Sequence, residues 1–63
     1  MQITLKAARV NAGYLQQETA KLLGVAEKTY GRWEKGKSFP DAIQIKKIEE
    51  LFGVKYDNLI FLV

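Results

Sequence analysis

Short apolar stripes at helical spacing, interrupted by glycines, divide this chain into helix-sized segments. Leu5, Ala8 and Ala12 recur at helical intervals after Thr4, which can N-cap a first helix. A second helix is predicted from about Gln16 to Leu23. The predicted segments end at Gly13, Gly24, Gly36 and Gly53. Glycine commonly ends a helix because it adopts a positive φ without steric cost.

The third and fourth segments carry clearer apolar faces than the first two. A third helix from about Glu27 to Lys35 places Tyr30 and Trp33 three residues apart, on a face that points inward. Asp41 can N-cap a fourth helix. The apolar stripe of that helix consists of Ile45, Ile48 and Phe52. Both segments are therefore predicted to pack against a common core.

The C-terminal end of the chain has two interpretations. Asp57 can cap a final helical turn through Ile60, followed by an apolar tail. Residues 59–63 are also apolar enough to form an edge strand or a dimer contact. Elsewhere no segment alternates apolar and polar residues for long. The pattern predicts one all-α domain over residues 1–63, with about five short helices.

Composition removes most kinds of catalytic and metal site. The 63 residues include no cysteine and no histidine, so a thiolate zinc site, a disulfide and a histidine acid–base pair are all excluded. We expect no cofactor, no metal and no enzymatic activity. The formal net charge of +3 is modest, so its placement matters more than its size. The N-terminus does not resemble a signal peptide and no apolar run spans a bilayer, which predicts a cytosolic protein without a membrane partner.

An ordered set of short motifs covers most of the chain. Its members are Gln16, Ala20, Leu23-Gly24-Val25, Arg32-Trp33-Glu34-Lys35-Gly36-Lys37, Pro40, Leu51-Phe52-Gly53-Val54 and Asp57-Asn58-Leu59-Ile60. Each motif alone is weak, but the set at this spacing is specific. It resembles the Cro/CI-type helix-turn-helix family of phage and bacterial repressors. The resemblance implies a lambda-repressor-like domain that binds double-stranded DNA.

That resemblance places base-reading residues on the third helix. They are Glu27, Lys28, Gly31 and Arg32. Arg32 can bind guanine O6 and N7 bidentately, worth roughly 1–3 kcal/mol of discrimination. Lys28 can read guanine or pair with a phosphate, and Glu27 can accept from cytosine N4. Gly31 has no side chain and can let the helix backbone approach DNA closely. The alternative for the charged positions is an ordinary solvated helix face.

The resemblance also implies contacts with the DNA backbone and one structural ion pair. The phosphate-binding residues are Gln16, Gln17, Lys35, Lys37 and Ser38. Such contacts fix register and supply salt-dependent affinity. Arg9 and Glu34 are expected to form a salt bridge between the first and third helices.

Four positions depart from the family pattern. Leu15 and Ala26 stand where a capping side chain is usual, and a lost cap costs about 1 kcal/mol. Thr19 replaces an apolar core residue. Gly31 lies inside the third helix, which costs about 1 kcal/mol relative to alanine. These departures predict lower stability and unusual packing.

The expected function is that of a complete Cro-sized repressor that binds a pseudo-palindromic operator as a homodimer. No small-molecule effector is expected. The apolar tail supplies a dimer contact in this hypothesis, through Leu59, Phe61, Leu62 and Val63. In the alternative, Leu59 and Leu62 fold back onto the core of their own monomer. Two other roles remain open: an antitoxin or accessory regulator, and a helical interaction module that docks a protein through the tail.

Overall fold

Four α-helices and one pair of very short strands make up residues 2–61, the part of the chain described by a computed structural model. In chain order the elements are β1 (Ile3–Thr4), α1 (Leu5–Ala12), α2 (Gln16–Leu23), α3 (Glu27–Glu34), α4 (Ala42–Phe52), a 3₁₀ turn (Tyr56–Asn58) and β2 (Leu59–Ile60). The predicted all-α class is confirmed. The third helix ends one residue earlier than predicted, with Lys35 as its C-cap.

The predicted fifth helix is wrong in its extent. One 3₁₀ turn forms, and Leu59–Ile60 then runs as β2, parallel to β1 with Ile3 opposite Leu59. An isolated helix of a few residues is unstable, whereas branched side chains such as Ile60 favour extended backbone. The strand also turns Leu59 into the core, where it is 8 % exposed.

Two helices start with the side-chain caps that the sequence predicts. The Thr4 hydroxyl accepts a hydrogen bond from the Ala7 N–H at 3.1 Å, and Asp41 accepts one from the Gln44 N–H at 2.9 Å. The predicted stripe of α1 needs one correction, because Ala12 is exposed and Arg9 is buried instead. Arg9 therefore faces the other helices.

All four helices contribute to one core. Its buried apolar members are Leu5, Ala8, Ala20, Leu23, Tyr30, Trp33, Ile48, Phe52 and Leu59. Tyr30 and Trp33 meet edge to face, with ring centroids 5.9 Å apart. Thr19 is fully buried, and its hydroxyl donates to the Leu15 carbonyl at 3.0 Å. That hydrogen bond explains how a polar residue is tolerated at a core position.

Candidate nucleic-acid interface

The two faces of α3 have opposite character. Tyr30 and Trp33 point into the core and are 0 % and 5 % exposed. Glu27, Lys28 and Arg32 are exposed on the other side of the same helix. This division follows from the 3.6-residue helical period, since positions three or four apart share a face. The core contacts fix the orientation of α3, so Glu27, Lys28 and Arg32 face outward.

An open groove of about 530 Å³ runs along this outer face. It is lined by Gln16, Glu27, Lys28, Gly31, Arg32, Lys35 and Lys37. Four of these residues are cationic and one is anionic. The local net charge is therefore +3, equal to the formal charge of the whole chain. All four residues predicted to read bases lie in this groove, together with three of those predicted to bind phosphate.

The turn between α2 and α3 depends on Gly24. Its φ is +75°, a conformation that side-chain-bearing residues rarely adopt. The Gly24 and Val25 N–H groups donate to the Lys21 and Ala20 carbonyls at 3.2 and 2.9 Å. These bonds satisfy the last carbonyls of α2 in the manner of a Schellman motif. Only Val25 and Ala26 separate Gly24 from the first residue of α3, so the connection between the two helices is short.

Gly36 makes an equivalent turn at the end of α3, with φ of +74°. The Lys37 N–H donates to the Arg32 carbonyl at 2.9 Å, which folds the chain back against the helix. This turn returns Lys37 to the groove that Lys28 and Arg32 line. Lys37, which follows the helix, therefore adds its positive charge to the groove that Lys28 and Arg32 line.

A buried ion pair ties α1 to the end of α3. Arg9 Nε donates to Glu34 Oε2 at 2.6 Å, and the two residues are only 7 % and 6 % exposed. Arg9 Nη1 also donates to the Tyr14 carbonyl at 2.7 Å, in the connection before α2. The expected ion pair is therefore present and extends to the α1–α2 loop. Gln16 Nε2 completes the network by donating to Glu34 Oε1 at 2.9 Å.

The network keeps the Glu34 carboxylate ionised. Burial alone raises the pKa of Glu34, but the hydrogen bonds from Arg9 and Gln16 outweigh it and lower the pKa below its ordinary value. The hydrogen bond to Glu34 in turn raises the pKa of Arg9. Burial, followed by the nearby Glu34 carboxylate, raises the pKa of the Tyr30 phenol. The Tyr30 hydroxyl is buried without a hydrogen-bond partner among residues 2–61.

The other residues predicted to bind phosphate lie in different surroundings. Gln17 is exposed and Ser38 is half-buried, and neither lines the groove. The start of α2 lies beside the groove through Gln16, its first residue. Leu15 gives that helix no side-chain cap, and Ala26 gives none to α3. The Glu18 carboxylate accepts the Leu15 N–H at 2.8 Å. As at any helix start, the first-turn amides of α2 point along the helix axis.

The predicted dimer contact is changed by the structure. Leu59 lies in the core of its own monomer, as the alternative interpretation held, so it does not offer the surface contact predicted for it. Phe61 is half-buried, and its ring meets Phe39 and Tyr56 at centroid distances of 6.2 and 6.0 Å. Phe39 and Tyr56 are 57 % and 50 % exposed. Leu62 and Val63 lie outside the described residues.

A helix-turn-helix family profile matches residues 5–59. This chain belongs to the helix-turn-helix family. The match runs from the first residue of α1 to the first of β2, so it includes every helix described above. No solved structure matches the chain.

Two curated proteins of Bacillus subtilis (strain 168) are similar to this family member. One is the SPbeta prophage-derived uncharacterized HTH-type transcriptional regulator YonR, 39 % identical over 56 residues, which are 89 % of this chain and 52 % of that protein. The other is the HTH-type transcriptional regulator ImmR, 34 % identical over 56 residues, covering 89 % of this chain and 44 % of that protein. The chain thus spans about half the length of these relatives.

Two features of the surface were missed by the sequence prediction. The first is the hydrogen bond from Gln16 to Glu34, which only the packing of α2 on α3 reveals. The second is the aromatic cluster of Phe39, Tyr56 and Phe61, in which Phe39 lies on the other side of α4 from the two later residues. The available signal was that aromatic residues occur both before and after α4. Within residues 2–61 no group of acidic residues has metal-ligand geometry, and none of the helices is long and apolar enough to cross a membrane.

Proposed function

We propose that this chain binds double-stranded DNA sequence-specifically and acts in transcriptional regulation in the cytosol. The observation that carries the proposal is the open groove along α3, which gathers a net charge of +3 around the exposed face of one helix. A major groove about 12 Å wide admits an α-helix, and phosphates flank it on both sides. The names of both relatives, each an HTH-type transcriptional regulator, support the regulatory role.

The residues divide into two roles in this proposal. Arg32 and Lys28, on the outer face of α3, read base edges, and Arg32 suits guanine. Glu27 accepts from cytosine N4 at the start of the same helix. Lys35 and Lys37 follow the base-reading residues and bind phosphates, a role that contributes affinity without sequence information. The amides at the start of α2 suit a further phosphate oxygen, aided by the helix dipole.

The proposed operator is pseudo-palindromic and is bound by a homodimer. Two copies of α3 about 34 Å apart would then enter successive major grooves. Phe39 and Tyr56 support the dimer, because exposed aromatic residues are typical of protein interfaces. Repression by occlusion of a promoter requires nothing beyond such binding, so we propose a Cro-like repressor.

Selection of bound duplexes from a random pool tests the DNA-binding proposal. We expect enrichment of a pseudo-palindromic sequence, and a binding constant that falls with salt at a log–log slope of about −0.9 for each phosphate neutralised. A helical module that docks only proteins would show neither enrichment nor salt dependence. Folded protein that enriches no duplex at low salt would contradict the proposal.

Two substitutions separate the residues that read bases from those that bind phosphate. Arg32→Ala should abolish the preference at one operator position and leave the others intact. Lys37→Ala should weaken binding to all sequences alike and reduce the magnitude of the salt slope by about 1 for each subunit. An interchange of these two effects would show that the roles are assigned wrongly.

Sedimentation of the free protein tests the dimer. Phe39→Ser should shift the monomer–dimer equilibrium toward monomer, because it removes an exposed aromatic contact. Ile43→Ser is the control, since Ile43 is 69 % exposed on α4 and lies outside the aromatic cluster. Equal effects of both substitutions, or a monomer at every concentration with and without operator DNA, would contradict the proposed interface.

A further inference from the structure

Gln16 is the first residue of α2, but its side chain lies along the surface of α3. Its Nε2 is 2.9 Å from Glu34 Oε1. Its Oε1 lies 3.9 Å from the position that a Cβ atom on Gly31 would occupy. Gly31 and Glu34 are three residues apart on α3, so they share a face. The Gln16 amide therefore lies against one turn of α3, in the groove that Gln16 and Gly31 both line.

The chemistry of Glu34 sets which way the Gln16 amide points. An ionised carboxylate accepts hydrogen bonds and donates none, so Gln16 must present its NH₂ group to Glu34. The low pKa of Glu34 keeps the carboxylate ionised at neutral pH. The amide oxygen then points away from Glu34, over Gly31. Because Gly31 has no side chain, this strip of α3 stays clear beneath it.

We infer that Gln16 is a specificity-determining residue whose Oε1 accepts a hydrogen bond from the exocyclic amine of an adenine or cytosine in the major groove. The inference rests on the proposed function, since it requires a duplex seated on α3. Glu34 is the positioning residue, because it holds the NH₂ group of Gln16. Gly31 contributes by leaving the space over which the amide lies.

A base fits this atom better than the phosphate that the sequence predicted for Gln16. Phosphate oxygens only accept hydrogen bonds, so Gln16 Oε1 cannot bind them, and a phosphate would have to be bound through the second Nε2 hydrogen instead. In the major groove, the exocyclic amine donors belong to adenine N6 and cytosine N4. The groove already holds Lys35 and Lys37, which are better phosphate ligands than an amide oxygen. Gln16, although on α2, also lines the same groove as the α3 residues that face the bases in the proposed complex.

The neighbouring Gln17 provides a matched control. It is exposed and does not line the groove, although it has the same side chain on the same turn of α2. We would select duplexes from a random pool with the full chain and with Gln16→Met and Gln17→Met. Methionine keeps an unbranched side chain of similar length but cannot accept this hydrogen bond well.

The unaltered protein should require adenine or cytosine at one operator position in each half-site. Gln16→Met should lose that preference, with a fall in discrimination of about tenfold at that position and little change elsewhere. Gln17→Met should keep all base preferences, and any change in affinity should be the same for all sequences, as expected of the phosphate contact predicted for Gln17. Uniform weakening by Gln16→Met would overturn the inference and restore a phosphate contact, while the proposed function would stand. Failure of the unaltered protein to enrich any duplex would instead refute the proposed function, and the inference with it.

A measurement on the free protein tests the positioning by Glu34. The side-chain amide resonances of Gln16 should shift as Glu34 is protonated below its ordinary pKa of 4.5, while those of Gln17 should not. Identical behaviour of the two glutamines would show that the hydrogen bond to Glu34 is absent, and the inference would fail. This result does not depend on DNA binding or on the stability of a variant.

Discussion

The helices that form the candidate interface begin differently from the helices that support it. Among residues 2–61, α1 and α4 start with side-chain caps from Thr4 and Asp41. At the equivalent positions of α2 and α3 stand Leu15 and Ala26, which supply no such hydrogen bond. The supporting pair is therefore specified by local sequence signals. The interface pair has to be stabilised by contacts with the rest of the protein.

Those contacts are concentrated where the three N-terminal helices meet. Helices α2 and α3, like α1, have only eight residues each, too few to be stable alone. They bury apolar residues against the core, and Glu34 receives hydrogen bonds from Arg9 on α1 and Gln16 on α2. The donors to Glu34 are side chains of α1 and α2, so this buried carboxylate ties the helices together but does not replace the missing caps. The start of α2 therefore has no side-chain cap beside the proposed DNA-binding groove.

Removal of the ion pair should give the largest effect. Arg9→Ala leaves Glu34 as a buried charge without its main partner, so we expect a loss of about 3–5 kcal/mol of unfolding free energy. A folded unit of about this size is only marginally stable, so a loss of this size would leave it largely unfolded. Urea denaturation followed by circular dichroism measures the change.

The double substitution Arg9→Met with Glu34→Leu is the control for that result. It removes both charges and fills the space with apolar atoms, so it should be clearly less destabilising than Arg9→Ala. If the double variant is as unstable as the single one, the packing of the arginine stem, rather than the unpaired charge, dominates the effect.

Protonation of Glu34 in acid should also weaken its ion pair with Arg9, with a smaller loss of unfolding free energy than Arg9→Ala causes. The pKa of Glu34 is lower in the folded protein than its ordinary value of 4.5, so the unfolded chain binds the proton more readily. The stabilisation is fully present above pH 4.5 and is lost as the pH falls through the lower, folded value. Unfolding free energies measured between pH 7 and pH 3 should show this decline. Glu34→Gln should lack that part of the decline, and an unchanged pH profile in this variant would contradict the assignment.

Removing an existing helix cap and adding a new one should change the unfolding free energy by about 1 kcal/mol each, in opposite directions. Thr4→Ala and Asp41→Ala each remove a cap from a supporting helix and should cost about 1 kcal/mol. Leu15→Ser adds a cap to α2, and Leu15 is 58 % exposed, so its loss removes little packing. This variant should gain a similar amount, measured from the midpoint of urea unfolding. If it does not, the Glu18 carboxylate already provides most of the stabilisation available at that helix start.

The sequence predicted most of the helical architecture and most of the groove, for reasons visible in particular residues. Glycines at the helix ends and inward-facing aromatic residues act locally, so the bounds of α2 and the faces of α3 could be derived from spacing. Glu27, Lys28 and Arg32 were grouped correctly because they share the exposed face of α3, away from Tyr30 and Trp33. Whether they read bases stays a prediction until DNA binding is measured.

The remaining features depend on contacts between distant segments, which spacing does not encode. Leu59 was assigned to a dimer surface because an apolar terminus looks exposed in sequence; pairing with Ile3 instead turns it into the core. The hydrogen bond from Gln16 to Glu34 joins residues 18 apart. It exists only once α2 and α3 are packed, and the base-reading role of Gln16 is a proposal that starts from this contact.

The smallest effect is expected inside α3, at Gly31. A Cβ atom there would meet only Gln16 Oε1, at an ordinary contact distance of 3.9 Å, and the φ of Gly31 is not positive. Gly31→Ala should therefore raise the unfolding free energy by up to about 1 kcal/mol, because alanine loses less backbone entropy in a helix. Such a gain would show that α3, which lacks the side-chain cap of α1 and α4, can be stabilised by higher helix propensity alone. A loss of stability would mean that the Gln16 amide cannot tolerate a methyl group beneath it, and that glycine is required for that packing as well as for the proposed approach to DNA.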